Sequence, residues 1–152
     1  MSIESVRNFF AENAPDVVVI ETERSSATVA EAAEAHGVQP DQIAKTICVR
    51  VGDVVMLVVA AGTRRLDNRK FKDQFGTKPR MLGGDEVVEL TSHPVGGVCP
   101  FGLPSPLPIY CDLSLKAFQM VVPAAGSTHS AVHIAPARLV ELVGATWVDV
   151  CQ

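Results

Sequence analysis

Aromatic side chains are scarce: six Phe, one Tyr and one Trp make up 5% of a chain that is 47% hydrophobic, so Val, Ala, Leu and Ile must fill its core. No apolar run approaches the roughly 20 residues needed to span a bilayer, and Met1-Ser2-Ile3-Glu4 has neither the basic start nor the apolar core of a signal peptide. A cytoplasmic setting with no membrane partner is therefore expected. Net positive charge is missing too, because 13 Lys and Arg stand against 17 Asp and Glu, giving −4. That balance excludes coating of nucleic acid by bulk attraction and leaves only a local basic patch. The four cysteines, Cys48, Cys99, Cys111 and Cys151, form no C-x-x-C pair and no His/Cys cluster, which argues against a disulfide framework or a structural zinc. His129 and His133 are four apart, yet no Glu follows His129 and Pro136 comes soon after, so the metalloprotease helix H-E-x-x-H is absent. Neither metal nor cofactor is expected.

The 152 residues suffice for one domain spanning residues 1–152, large enough to bury about two thirds of the surface of the unfolded chain. Ile3, Val6, Phe9 and Phe10 fall on one stripe of a first helix ending near Asn13. Residues 17–21 read as a strand. Thr28 and Glu31 form a capping box for a helix that Gly37 ends, and Pro40 opens a short helical turn. Residues 45–51 and 54–61 make a hairpin about Gly52-Asp53, and the second strand, apolar on both parities, should be central in the sheet. Asp67 caps a helix running to Phe75 and closed by Gly76. Further on, residues 78–82 read as a strand, Asp85 caps a helix, and residues 109–112 and 118–122 read as a strand pair. A strand at 132–135, a helix from Pro136 to Gly144 and a strand at 147–150 complete the chain.

Five features invite chemistry. Lys45 shares its strand face with Ile47, Val49 and Val51, so it either snorkels to water from the strand end or stands as a cation at the rim of a pocket. Residues 62–80 hold Arg64, Arg65, Arg69, Lys70, Lys72, Lys78 and Arg80, more than half of all 13 cationic side chains: a solvated helix face or a phosphate-binding patch. Gly96-Gly97-Val98-Cys99-Pro100-Phe101-Gly102 is a loop whose backbone can approach a ligand closely, or a surface turn. Asp112 ends a strand, either as a turn cap or facing a pocket, and residues 124–130 form a second loop of small and hydroxylic side chains.

The ordered set Gln42-Ile43-Ala44-Lys45-Thr46, the loop at 96–102, Ile109-Tyr110-Cys111-Asp112 and Ala125-Gly126-Ser127 resembles the YbaK/EbsC family, the aminoacyl-tRNA synthetase-associated editing domain. The resemblance covers residues 25–150. It implies a mixed α/β (α+β) single domain with a curved, mixed, largely antiparallel sheet flanked by helices. It also implies hydrolysis of mischarged aminoacyl-tRNA, most of all tRNA for proline carrying a small wrong amino acid. In the absence of a synthetase catalytic region the action would be in trans, with prolyl-tRNA synthetase or an elongation factor as further partners. By the same resemblance Lys45, Gly96 and Gly97 take the catalytic roles. Thr46, Cys99, Pro100, Phe101, Gly102, Asp112, Gly126, Ser127 and His129 would line the substrate, and Arg64, Arg65, Arg69, Lys70 and Lys72 would contact tRNA. Cys99 and His129 depart from some relatives, which bears on amino-acid specificity more than on reaction class.

An aminoacyl ester is already activated, so its hydrolysis needs no strong protein nucleophile if loop amides and a lysine orient the carbonyl. Cys99 could serve as a nucleophile only with a base beside it, and His93, six positions earlier, is the nearest histidine in sequence. Two other readings stay open: a noncatalytic tRNA- or synthetase-binding module, and a hydrolase of small non-RNA esters.

Overall fold

The computed structural model describes residues 2–152. In chain order the elements are α1 (Ser2–Asn13), β1 (Ile20–Glu21), α2 (Val29–His36), β2 (Ile43–Val51), β3 (Val54–Ala61), α3 (Asn68–Phe75), β4 (Arg80–Met81), α4 (Gly84–Thr91), β5 (Ile109–Asp112), β6 (Val122–Pro123), β7 (Ser130–Ala131), α5 (Pro136–Val143) and β8 (Thr146–Val148). Short 3₁₀ turns at Pro40–Gln42 and Leu113–Ala117 precede β2 and follow β5. Among the described residues no helix is long and apolar enough to cross a membrane.

The hairpin is the spine of the fold. β2 and β3 pair antiparallel from Val51↔Val54 to Ala44↔Ala61, about a turn in which Gly52 takes φ 60°, a left-handed angle that only glycine adopts freely. On its other edge β3 accepts β5 in parallel, and β5 accepts β8. β3 is thus central, and Leu57, Val58, Val59 and Ala60 are wholly buried. The outer edge of β2 is shared. β6 pairs with it in parallel at Ile43 and Ala44, β4 pairs antiparallel at Val49 and Arg50, and residues 45–48 between them face no strand. β1 and β7 form a separate two-stranded sheet.

Alternation along the hairpin sets the two faces. Val49, Met56 and Val58 pack with Phe71 of α3 on one, whereas Ala44 and Val59 join Phe10 of α1, Phe101 and Leu139 of α5 on the other. The helix ends follow local chemistry. Thr28 Oγ1 accepts from Glu31 N at 3.1 Å, Asp67 accepts from Arg69 N and Lys70 N, and Gly37, Gly76 and Gly144 end their helices in left-handed conformation.

Three expected elements differ. α4 starts at Gly84 with Gly83 as its N-cap, so Asp85 lies inside the first turn, where its charge complements the helix dipole instead of capping. Residues 118–122 do not pair with β5. The Asp112 carboxylate accepts from Ser114 N and turns the chain into a 3₁₀ turn, which carries it to β2 as β6. The strand expected at 132–135 lies earlier, at Ser130–Ala131, where β1 offers an edge.

Burial holds the imidazoles of His36, His93 and His133 below their ordinary value of 6.5. His36 Nδ1 and His133 Nε2 are 3.2 Å apart, so charging both is opposed further. With folded values depressed, the unfolded chain binds more protons, so this contribution to stability is full above pH 6.5 and lost as the pH falls through it. The denaturant midpoint should therefore drop between pH 7.5 and 5.5, and the His36→Gln/His133→Gln variant should show a shallower slope; a slope equal to that of wild type would contradict this account.

Candidate functional site

A cavity of about 400 Å³ lies against the unpaired edge of β2. Residues 43–48 form its floor, because an edge without a neighbouring strand exposes backbone and side chains of both parities. α2 supplies Val29 and Ala32, the glycine loop Val95, Gly96 and Val98, and α4 with its preceding turn Leu82, Gly84 and Val87. Among the described residues Lys45 is the one Lys, Arg, Asp or Glu in the lining.

Two adjacent glycines hold this arrangement. A Cβ on Gly96, which has φ 88°, would stand 2.8 Å from Ala27 Cβ, and one on Gly97 would stand 2.7 Å from Ser127 N. The loop therefore rests on two other segments at once. Those segments are themselves tied, since Ser26 N donates to Thr128 O at 2.6 Å and Gly126 N donates to Gly97 O at 3.0 Å. Gly97 N already donates to Pro94 O at 2.9 Å, so this amide is not free to meet a substrate oxygen. Gly96 lines the cavity and Gly97 supports it from behind.

Lys45 and Thr46 stand on opposite faces of β2. Lys45 shares the α3 side with Ile47 and Val49, and its ammonium donates to the carbonyl of Arg64. Partial burial lowers its pKa first of all; the neighbouring Arg65 adds to that, while Cys151 and Asp41 oppose it. Thr46 faces the opposite side and is itself only partly buried, but its Oγ1 is enclosed and, among the described residues, meets no hydrogen-bond partner. A lone buried hydroxyl is costly unless something meets it.

The second half of the glycine loop is core and does not reach the cavity. Cys99 and Phe101 are wholly buried, and the Phe101 ring lies 4.6 Å from that of Phe10. Pro100 is buried beside them, and Gly102 (φ 61°) passes over α1, where a Cβ would meet Ser5 O at 2.6 Å. The structure does bring His93 to Cys99, with Nε2 3.4 Å from Sγ. That nitrogen also lies 2.8 Å from Phe101 O, which can only accept, so it carries the proton and cannot take one from the thiol. Burial pushes the Cys99 thiol up to about 12. The pair is inert packing.

Asp112 is also corrected from pocket wall to brace. One carboxylate oxygen accepts from Ser114 N at 2.9 Å and the other from Val150 N at 2.8 Å, fastening β5 to the C-terminal segment. Gly126 (φ 91°) lies against the start of α1, where Ser2 Oγ donates to its carbonyl. Ser127 Oγ pairs with Ser130 Oγ at 2.7 Å, and His129 is exposed with Nδ1 2.9 Å from Thr128 Oγ1. Of this turn's neighbourhood Ala124, Ser130 and Ala131 reach the cavity, so Gly126, Ser127 and His129 form an outer layer.

The basic segment lies on the α3 side, where Lys45 meets it through Arg64. Part of it is spent internally: Arg64 donates to Gln152 O at 3.0 Å, and Lys70 binds Asp149 at 3.1 Å and Cys151 O at 2.8 Å. Arg65, Arg69 and Lys72 are exposed and, among the described residues, have no hydrogen-bonded or ion-paired side-chain partner. Metal ligands are not grouped here: among the described residues no cluster of three or more His, Cys, Asp or Glu could hold an ion.

Sequence reasoning missed the walls at residues 26–32 and 81–87. Thr28 announced a helix cap and nothing about a cavity, and the one local sign at β4 was its shortness between Pro79 and Gly83-Gly84.

Residues 23–142 match the family model described as aminoacyl-tRNA editing domain. Among relatives, the Bacillus subtilis (strain 168) protein "Uncharacterized protein YwhH" is 48% identical over 154 residues, spanning 100% of this chain and 98% of its own. "Proline--tRNA ligase" of Shouchella clausii (strain KSM-K16) is 34% identical over 113 residues, 73% of this chain but 20% of that enzyme. The solved structure titled "Crystal structure of a putative trans-editing enzyme for prolyl tRNA synthetase" superposes with TM-score 0.92 at 31% identity, covering 99% of this chain and 97% of that one.

Because the Cys99 thiol is shut in the core, it should resist alkylation by iodoacetamide in the native protein and react once the chain is unfolded, as read by peptide mass spectrometry. Cys99→Ala should lower stability by about 1–2 kcal/mol through the cavity it leaves. Alkylation of the native thiol at the rate seen in the unfolded chain would overturn this placement.

Proposed function

Since the chain belongs to the aminoacyl-tRNA editing domain family, we propose that it is a trans-acting aminoacyl-tRNA deacylase that clears tRNA for proline of a small wrong amino acid. The observation that carries this reading is the notch in the sheet: a cavity with an unpaired strand edge as its floor and, among the described residues, Lys45 as the one charged residue in its lining. Such a floor offers fixed dipoles to an ester, and its one thiol, Cys48, is pushed up by burial and so is a weak nucleophile, which suits a substrate that is already activated. Action in trans is supported by the solved neighbour that matches nearly end to end and is titled a putative trans-editing enzyme. The apolar cluster running from Val6 through Phe101 to Leu139 supports a single domain over residues 1–152.

In the reaction the oxygen of water adds to the ester carbonyl carbon and the C=O π pair moves onto the carbonyl oxygen. The tetrahedral species then expels the ribose oxygen, which takes the proton released by water, leaving free amino acid and tRNA. The neighbouring ribose hydroxyl or the substrate amine assists the water. Gly96 shapes the wall beside the ester, and Gly97 fixes that wall through Ser127 and Pro94. Lys45 contributes electrostatic positioning. Standing on the α3 side next to Arg64, its ammonium is placed for the terminal phosphate, continuous with the exposed Arg65, Arg69 and Lys72 that track the tRNA backbone. Cys99, Pro100, Phe101, Gly102, Asp112, Gly126, Ser127 and His129 hold the shape of the site from behind.

A small wrong amino acid follows the logic of a second sieve, since a synthetase discriminates poorly against smaller or near-isosteric amino acids by binding alone. The test is a panel of mischarged tRNAs carrying alanine, serine, threonine or cysteine on tRNA for proline, beside small free esters. Hydrolysis confined to the tRNA panel is the expected result. Binding without turnover would point to a noncatalytic module, and equal rates on free esters to a general esterase. Lys45→Ala should cost on the order of 100-fold in kcat/KM, and a full deacylation rate would remove Lys45 from the site. Replacing Arg69 and Lys72 with Gln should raise KM and flatten its salt dependence, each lost phosphate contact lowering the logarithmic slope by roughly 0.7–0.9; an unchanged slope would place the tRNA elsewhere.

A further inference from the structure

We propose that Met81 and Val95 form the seat for the terminal adenine of the tRNA at the mouth of the cavity, an inference that rests on the deacylase reading above. Among the described residues Thr28, Met81, Gly84 and Val95 are the members of the lining that are exposed, so they mark where the cavity opens. Met81 is 68% exposed and Val95 67%. They reach the mouth from separate segments. Met81 ends the two-residue β4, and Val95 precedes Gly96 in the glycine loop, close enough to α4 that a Cβ on Gly84 would meet its Cγ2 at 3.1 Å. Lone exposed apolar side chains are ordinary on a protein surface, but two of them at the lip of one apolar cavity carry that cavity's surface outward.

Bond connectivity decides what lies there. The amino acid is joined through its ester to the ribose of the last nucleotide, so an acyl group inside the cavity leaves the ribose and base at its mouth. Charge then separates the base from the phosphate. Thr28 Oγ1 accepts from Glu31 N and meets the Glu31 carboxylate, both at 3.1 Å, and Asp85 follows Gly84 in the first turn of α4. These carboxylates repel a phosphate and leave a neutral base undisturbed. The exposed cations Arg65, Arg69 and Lys72 belong to α3 and the segment before it, which contribute nothing to the lining, so the phosphates are drawn elsewhere. Among the described residues no Phe, Tyr or Trp lines the cavity, and a base cannot stack on a protein ring there. The polarisable thioether of Met81 takes that part, since sulfur makes favourable contacts with flat aromatic systems. No side chain at the mouth has a free N–H or hydroxyl to offer, because the Thr28 hydroxyl is committed to Glu31. The base is therefore held by its face, and its edge goes unread.

The experiment follows single-turnover deacylation of a mischarged tRNA that the wild type hydrolyses, prepared with adenine, unsubstituted purine or no base on its terminal nucleoside. Wild type is compared with Met81→Leu and with the double variant Met81→Ser/Val95→Ser. Thermal unfolding measured in parallel should match wild type, because both side chains are exposed. For wild type, removing the base should raise the apparent substrate constant on the order of tenfold with the rate at saturation changed little, whereas purine should behave as adenine does. The double variant should show that same rise of about tenfold with adenine and no further rise without the base. Met81→Leu, which keeps the apolar surface, should stay close to wild type. The base-free substrate tests the seat without any substitution, and a wild type as efficient on it as on adenine would overturn the proposal. So would a double variant indistinguishable from wild type with adenine, a double variant still as sensitive as wild type to loss of the base, or purine as poor as no base. Wild type inactive on every mischarged tRNA would remove the deacylase reading itself, and this seat with it.

Discussion

A β-strand edge with no partner is ordinarily a liability, because each amide and carbonyl that faces neither strand nor water costs free energy. β2 carries such an edge in the middle of the molecule. Its ends are occupied by β6 and β4, two-residue strands too short to meet each other, and residues 45–48 are left between them. The other elements arrange themselves around this interruption: α2 and the segment before it close it from one side, and α4 and the glycine loop from the other. An edge guarded in this way cannot recruit a foreign strand and can still meet something smaller.

Keeping the notch open requires that its walls not collapse into it, and close backbone packing supplies that rigidity. Gly96 and Gly97 let one loop lie directly on Ala27 and on Ser127, distances at which any side chain would clash. Phe101, five residues from Gly96, is anchored among the rings of Phe9 and Phe10, so the loop is pinned to the core at one end and to its neighbours at the other. Proline and glycine here serve a fixed wall and not a flexible lid. The buried Cys99 and His93 belong to that anchor, which is why their proximity creates no reactive thiol.

Much of this was legible in the sequence wherever the determinant is local. Thr28 with Glu31, Asp67 with Gly76, and Pro136 with Gly144 mark helix ends that depend on contacts three or four residues away, and all three helices lie where those residues put them. Alternation placed Lys45 with Ile47 and Val49, and the two-sided apolarity of residues 54–61 foretold a central strand. What could not be read was non-local. Nothing near residue 122 states that it pairs with Ile43 rather than with β5, and the notch exists only because of that choice. Asp112 and Phe101 misled for a related reason, since a strand-end carboxylate and a residue in a proline- and glycine-rich loop look exposed until the elements packed over them are known. The outward similarity of the motifs to an editing domain was visible; which of their residues touch the cavity was not.

The pairing of Lys45 with Thr46 gains a physical sense from strand geometry. Consecutive residues on a strand point to opposite faces, so one short segment can address two sides of a narrow molecule at once. Here the cation turns toward the basic segment, where the Arg64 carbonyl holds it, and Thr46 on the opposite face borders the apolar cavity with its Oγ1 enclosed. A single strand thus separates a solvated, cationic side of the molecule from an apolar cavity with no further element between them, and the ammonium's field is kept from drawing water and counterions onto the cavity floor.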